Sequence, residues 1–260
     1  MNKAVLLIIL IFGIIGNSEE KKKEKTEIGG KMEKREILCY KTSEKITIDG
    51  KLNEDAWQKA YVVDNFFTWD EDGNLKPAIS KTKVRVLWDE NFLYIGAEME
   101  DKDIFAIKTT KTIICQDDVF EIFIKPSEEK THYYEFHITP KNHKLELFIP
   151  RRGCGSLGRY YFSSGIKSFV RIKGTLNNWE DVDEGWTVEA SIPFSAFAKT
   201  TSTPKNGTKW SVAFCRYDYS YYLPSTYFNG LEFSSSAALS KRNFHLYEDY
   251  DNLIFIDENK

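Results

Sequence analysis

The residues best suited to do chemistry lie in the stretch from Thr112 to Pro140, where Glu121, Glu135 and His137 stand in two short alternating runs. Successive side chains of a strand point to opposite faces. Phe120, Ile122 and Ile124 therefore share one face of the first run, and Tyr134, Phe136 and Ile138 share one face of the second. If these apolar sets face a core, Glu121, Glu135 and His137 emerge together on the other side. Residues 125–131 between the runs are polar and carry Pro126, which cannot donate to a ladder, so they read as a hairpin loop. Carboxylates beside an imidazole can accept from and donate to a polar ligand. The plain alternative is that an antiparallel sheet wets its outer face.

Other chemistry finds less support in the residue types. Only four histidines exist, and His132 and His137, five apart on one strand, point to opposite faces, which excludes a local metal pair. No Gly-x-Ser-x-Gly elbow is present. A glycosidase needs two carboxyl groups about 5 to 9.5 Å apart, a spacing that some pair among 39 acidic residues meets by chance. The glycine-rich loop at residues 151–158 is followed by no helical period, so it is no phosphate loop. Asp101 and Asp103, and Asp117 with Asp118, are candidate oxygen ligands for calcium, against the simpler reading of loop acids in water. Haem would need histidine or methionine, and beyond the first residue only Met32 and Met99 remain.

The elements that must position these groups read as strands. Residues 82–88 and 92–99 form an alternating hairpin, and runs at 144–149, 166–172, 186–192, 210–216 and 253–256 bring the candidates to at least nine, with 46–48 the earliest. Amphipathic helical periods are nearly missing; residues 53–60 form the exception, with Asn53 as N-cap and Trp57 plugging one end of the core. The expected fold is all-β, a single β-sandwich, jelly-roll-like and mostly antiparallel, with one or two short helices. An aromatic content of 15% suits strands and also surfaces that stack on sugars. A net charge of -3 offers no basic footprint for nucleic acid.

Lys3, the apolar run at residues 4–15 and the small residues at 16–18 read as a signal peptide over 1–18, short for a membrane span, with a retained anchor as the alternative. Asn17 stands where a lipoprotein signal would carry cysteine. A secreted, periplasmic or cell-surface location follows. Residues 19–36, nearly all Glu and Lys, form a charged tether, and the domain occupies 37–260. Export makes Cys39, Cys115, Cys154 and Cys215 candidates for disulfides in any of three pairings, with four thiols the alternative.

Ile48-Asp-Gly-Lys-Leu-Asn-Glu-Asp-Ala-Trp57, Val84-Arg-Val-Leu-Trp-Asp-Glu-Asn-Phe-Leu-Tyr94, Gln116-Asp-Asp-Val-Phe-Glu-Ile-Phe123, Tyr133-Tyr-Glu-Phe136, Gly185-Trp-Thr-Val-Glu-Ala-Ser-Ile-Pro193 and Tyr250-Asp-Asn-Leu-Ile-Phe255 together resemble carbohydrate-binding module family 9, in that family's order. The resemblance implies a β-sandwich, a non-catalytic role on oligosaccharide or polysaccharide chains, often beside a glycan-degrading enzyme, and frequently structural calcium. It also implies a sugar clamped between two tryptophans. Cys115 stands at the first of these positions and Phe244 near the second. Glu121 matches the family's sugar-bonding acid and His137 a polar contact on the next strand, while Arg242 and Asn243 beside Phe244 could add donors. Trp179 or the tyrosines at 217–222 are candidate replacement rings. On this reading Phe244 is a binding ring whose loss leaves the fold intact. The alternatives are an interaction or structural sandwich that has lost the clamp, and a component of a glycoside hydrolase.

Overall fold

A computed structural model describes residues 33–108, 115–154, 160–224 and 230–258. The expected signal peptide and most of the expected tether lie outside these residues.

Alternation builds the sheet. Among the described residues fifteen strands follow one another: β1 (Glu36–Lys41), β2 (Tyr61–Val63), β3 (Phe67–Trp69), β4 (Leu75–Pro77), β5 (Thr82–Trp88), β6 (Phe92–Glu100), β7 (Val119–Lys125), β8 (Tyr133–Ile138), β9 (Lys144–Ile149), β10 (Tyr160–Tyr161), β11 (Lys167–Lys173), β12 (Gly185–Pro193), β13 (Lys209–Tyr219), β14 (Leu231–Ser235) and β15 (Asp251–Ile256). The main path runs β10-β9-β8-β7-β13-β15-β1-β5-β6-β12-β11. Its pairs are antiparallel except that β1 lies parallel to both β15 and β5. Inward residues from the two halves of the path, among them Phe120, Ile122, Phe136 and Phe214 from one and Val86, Ile95, Val188 and Trp186 from the other, share one apolar cluster. The sheet therefore curls over itself as a sandwich, and each large side chain buried there contributes about 1.5–3 kcal/mol.

Two smaller clusters lie outside the layers. On the outer face of β5 and β6, Trp57 packs with Leu52, Leu87 and Tyr94. Trp57 thus covers the sheet instead of plugging one end of the core. Its indole N–H donates to Glu189 Oε1 at 3.0 Å, and Glu189 Oε2 accepts the backbone N–H groups of Asp49 and Gly50. This carboxylate, fully buried on β12, latches the 48–57 segment to the sheet. A Cβ at Gly96 would stand 2.6 Å from a Leu52 methyl, so any side chain there would push Leu52 aside. The helix α1 spans Asp55–Lys59 with Glu54, not Asn53, at its N-cap position, and Glu54 instead accepts the N–H of Thr47 at 2.8 Å. Residues 46–48 join no ladder, since Glu54 and the turn at Asp49 take up their neighbourhood.

The second outer cluster decides where the site lies. Phe123, Tyr133, Leu145, Leu147, Ala213 and Cys215 line the outer face of β7, β8, β9 and β13, and Trp69, Leu239, Phe244 and Tyr250 cover it. The cover comes from β3, β4, β14 and the irregular segment 237–250. It is pinned by Tyr250 Oη donating to the Phe244 carbonyl at 2.6 Å and by Ser240, whose N–H and hydroxyl both donate to Asp249 Oδ2.

Candidate functional site

Ladder register brings the polar residues together. Glu121 on β7 lies opposite His137 on β8 and, on its other side, opposite Cys215 on β13; Phe123 lies opposite Glu135. The three residues singled out by alternation do share one face. That face is covered, however, and Glu121, Glu135 and His137 are only 2%, 2% and 7% exposed. Between them and the cover is a cavity of about 320 Å³ lined by Cys115, Glu121, Phe123, Glu135, His137, Tyr217, Phe233, Arg242, Asn243, Phe244 and His245. This lies within the range of small-ligand pockets, about 300–1,000 Å³. Cys115, Arg242 and Asn243 are exposed at its mouth.

The floor is a chain of carboxylates and imidazoles. His137 Nδ1 lies 3.0 Å from Glu121 Oε1, and Nε2 lies 3.4 Å from Glu135 Oε2. Glu135 Oε1 lies 3.0 Å from His245 Nδ1, which is also 2.8 Å from the Tyr133 hydroxyl. Burial alone would raise the Glu135 carboxyl, but the contacts from His137 and His245 overcome it and hold the group at about 2. Glu135 is thus ionised at neutral pH. Burial, with Glu121 close by, pushes the Tyr217 phenol up, so its hydroxyl stays a donor.

The walls are aromatic. Phe244 is 7% exposed and packs against Trp69, Phe123, Tyr217 and Phe233 with centroids 5.5–6.3 Å away. It is a wall of the cavity and a part of the second cluster at once, which corrects the expectation that its removal leaves the fold intact. Arg242 carries its guanidinium 5.9 Å from the Phe233 ring centre. Asn243 Oδ1 accepts the His245 N–H at 3.0 Å and so sets the turn that delivers His245. Of the candidate replacement rings, Tyr217 lines the cavity and Trp179 does not. Glu135, His245, Tyr217 and Phe233 complete the lining; the alternation that groups Glu121 with His137 also marks Glu135, but no short-range signal places His245.

Asp101, Asp103 and Asp117 do not converge. Asp103 Oδ2 accepts the Tyr221 N–H at 3.0 Å, and Asp117 Oδ1 accepts the N–H of Ile107 at 2.9 Å. Among the described residues the carboxylates that gather are those of Asp101, Asp118 and Asp218. Arg216, fully buried on the core side of β13, stands among them: Nη2 lies 2.9 Å from Asp101 Oδ2 and 3.3 Å from Asp218 Oδ2, and Nη1 donates to the Glu100 carbonyl at 2.7 Å. Burial, aided by Asp218 and opposed by Arg216, raises Asp101 to about 7. All four cysteines are thiols, Cys39 and Cys215 buried and Cys115 at the cavity mouth. Met99 is buried in the main core, and Met32 lies outside the described residues.

Residues 48–221 match the family described as carbohydrate family 9 binding domain-like. The chain belongs to that family. Endo-1,4-beta-xylanase A of Thermoanaerobacterium saccharolyticum is 29% identical over 161 residues, covering 62% of this chain and 11% of the xylanase. Endo-1,4-beta-xylanase C of Paenibacillus barcinonensis is 29% identical over 192 residues, covering 71% of this chain and 15% of that enzyme. The chain thus spans a small fraction of the length of these relatives. A family 9 module from Caldicellulosiruptor kristjanssonii, solved in complex with cellotriose, superposes with a TM-score of 0.58 at 15% identity over 86% of this chain and 95% of that one. A putative carbohydrate-binding protein from Bacteroides uniformis gives 0.62 at 14% identity over 86% of this chain and all of that chain. At such identities these likenesses show the fold.

Proposed function

We propose that this family 9 module binds an oligosaccharide or polysaccharide without acting on it, and that one sugar unit enters the cavity above Glu121, Glu135 and His137. The observation that carries the reading is the union of buried carboxylates with aromatic walls in one cavity. A pyranose has hydroxyls that need partners and an apolar face that needs a flat surface. Arg242 and Asn243 at the mouth supply donors, and Phe244, Phe233 and Tyr217 supply the rings. Cys115 offers no ring where the expected clamp has its first tryptophan. The reading extends to a glycan-degrading enzyme as partner and, from the apolar run at residues 4–15, to export; no described helix is long and apolar enough to cross a membrane. For the acidic cluster, the reading makes Arg216 the counter-cation in place of calcium, because its guanidinium takes the position an ion would share between Asp101 and Asp218.

Calorimetric titration with xylo- and cello-oligosaccharides, beside their reduced alditols, tests this. Binding by the wild type that weakens at least about tenfold in Glu121→Gln supports the cavity as the site. Equal binding by both proteins would place the sugar elsewhere.

A further inference from the structure

Trp179 and Tyr221 are 60% and 73% exposed, with ring centroids 6.0 Å apart, and the Tyr222 ring lies 5.8 Å from Tyr221. Single exposed aromatics are ordinary, but three rings together form a patch that solvent does not favour. The backbone beneath them is held in place. Tyr222 Oη donates to the Asp181 carbonyl at 2.9 Å, and the Tyr221 N–H donates to Asp103 Oδ2 at 3.0 Å. Asp183 accepts the N–H groups of Thr175 and Ile104 at 2.6 and 2.9 Å, which fixes the segment carrying Trp179 to the sheet. Rings displayed on an ordered frame lose little freedom when something stacks on them.

The cavity and the patch are both lined from β13. Tyr217, which lines the cavity, and Tyr219 lie on the same face of β13, about 7 Å apart along the strand. Tyr219 Oη donates to the carbonyl of Cys115, at the cavity mouth, at 2.9 Å. From Tyr219 a groove of about 530 Å³ leads past Phe105 and Asp103 to Tyr221. No lysine or arginine is among the described residues lining it, and Glu180 and Asp181 follow Trp179 in the chain. Such a rim repels anionic glycans and phosphate and offers acceptors to neutral hydroxyls.

We infer that the module holds a neutral glycan chain of several units, with one unit in the cavity and the following units running along the Tyr219 groove onto a stacking platform made by Trp179 and Tyr221. The inference rests on the proposed sugar binding and adds a second subsite to it.

Titrations of wild type, Trp179→Ala and Tyr221→Ala with glucose, cellotriose, cellohexaose and xylohexaose test it. Both side chains are exposed, so the variants fold. The expected result is that a wild-type hexamer binds about tenfold tighter than glucose, that each platform variant loses most of that gain, and that glucose binding stays unchanged. A hexamer bound equally by wild type and both variants, or no gain with chain length, overturns the platform while a Glu121-dependent response to short sugars leaves the cavity reading intact. Failure of the wild type to bind any of the four sugars overturns both.

Discussion

Glu121 and His137 face each other across the β7–β8 ladder, with Glu121 Oε1 3.0 Å from His137 Nδ1 on the side of the sheet turned away from the main core. His137 in turn reaches Glu135, so one imidazole spans two buried carboxylates. The pair forms the polar floor on which the proposed sugar site rests.

Removing His137 as a ring tests that floor apart from the acid. His137→Phe keeps a planar side chain but leaves Glu121 and Glu135 without their shared partner. A loss of about 1–3 kcal/mol in stability is expected, together with weaker glycan binding. Denaturant melts and calorimetry on the same preparation check both; unchanged stability would mean that the imidazole is not holding the carboxylates.

Phe244 is a wall and a core residue. Phe244→Ala is expected to cost about 3–5 kcal/mol, because four rings lose a neighbour. Phe244→Leu, which keeps most of the volume, should melt within about 1.5 kcal/mol of wild type and still bind sugar less tightly. Wild-type stability in Phe244→Ala would place the ring outside the cluster.

Cys115 stands exposed at the cavity mouth where the family resemblance puts tryptophan. Cys115→Trp is therefore expected to tighten glycan binding up to about tenfold by supplying the ring that the clamp lacks. Weaker binding, read by calorimetry, would show that the mouth has no room for a second ring.

Stability should peak in mildly acid solution. Asp101 is raised from 3.8 to about 7 and Asp251 from 3.8 to about 6 by burial, so between about pH 4 and 7 the folded chain keeps protons that the unfolded chain has released, and stability falls as pH rises. Glu135 is lowered from 4.5 to about 2, so its contribution is present above about pH 4.5 and is lost as pH drops towards 2. Melting temperatures across this range should form a dome whose neutral limb flattens in Asp101→Asn and whose acid limb flattens in Glu135→Gln. A steady rise from acid to neutral pH would contradict the assignment.

Calcium should leave the fold indifferent. Since an ion bound by the folded state raises its melting temperature, identical melts in chelator and in millimolar calcium are expected if Arg216 is the counter-cation. A calcium-dependent upward shift would show that an ion shares the site of Asp101, Asp118 and Asp218.

The strands that carry the floor were legible because period-two alternation marks both runs around Glu121 and His137, and register did the rest. What alternation cannot say is whether the outer face is wet. That face is covered by short strands and by segment 237–250, whose positions depend on contacts far along the chain, such as Trp69 Nε1 with the Leu239 carbonyl at 3.4 Å. His245 joins the site through that cover, which is why sequence reasoning missed it. Arg216 and Asp218 were hidden for the opposite reason: they occupy inward positions of β13, where a buried charge is intelligible only once Asp101, 115 residues away, supplies its partner. Glu121 and Cys115, which the family motifs single out, both line one cavity, but no motif says that Phe244 is packed among four rings.

The most direct test is an NMR titration of the isotope-labelled protein with cellotriose and xylotriose, following backbone amides and the imidazole signals of His137 and His245. The account predicts shifts concentrated on Glu121, His137, Tyr217 and residues 242–245 as the sugar fills the cavity. Signals that stay fixed there, or that move only on the Trp57 face of the sheet, would contradict it.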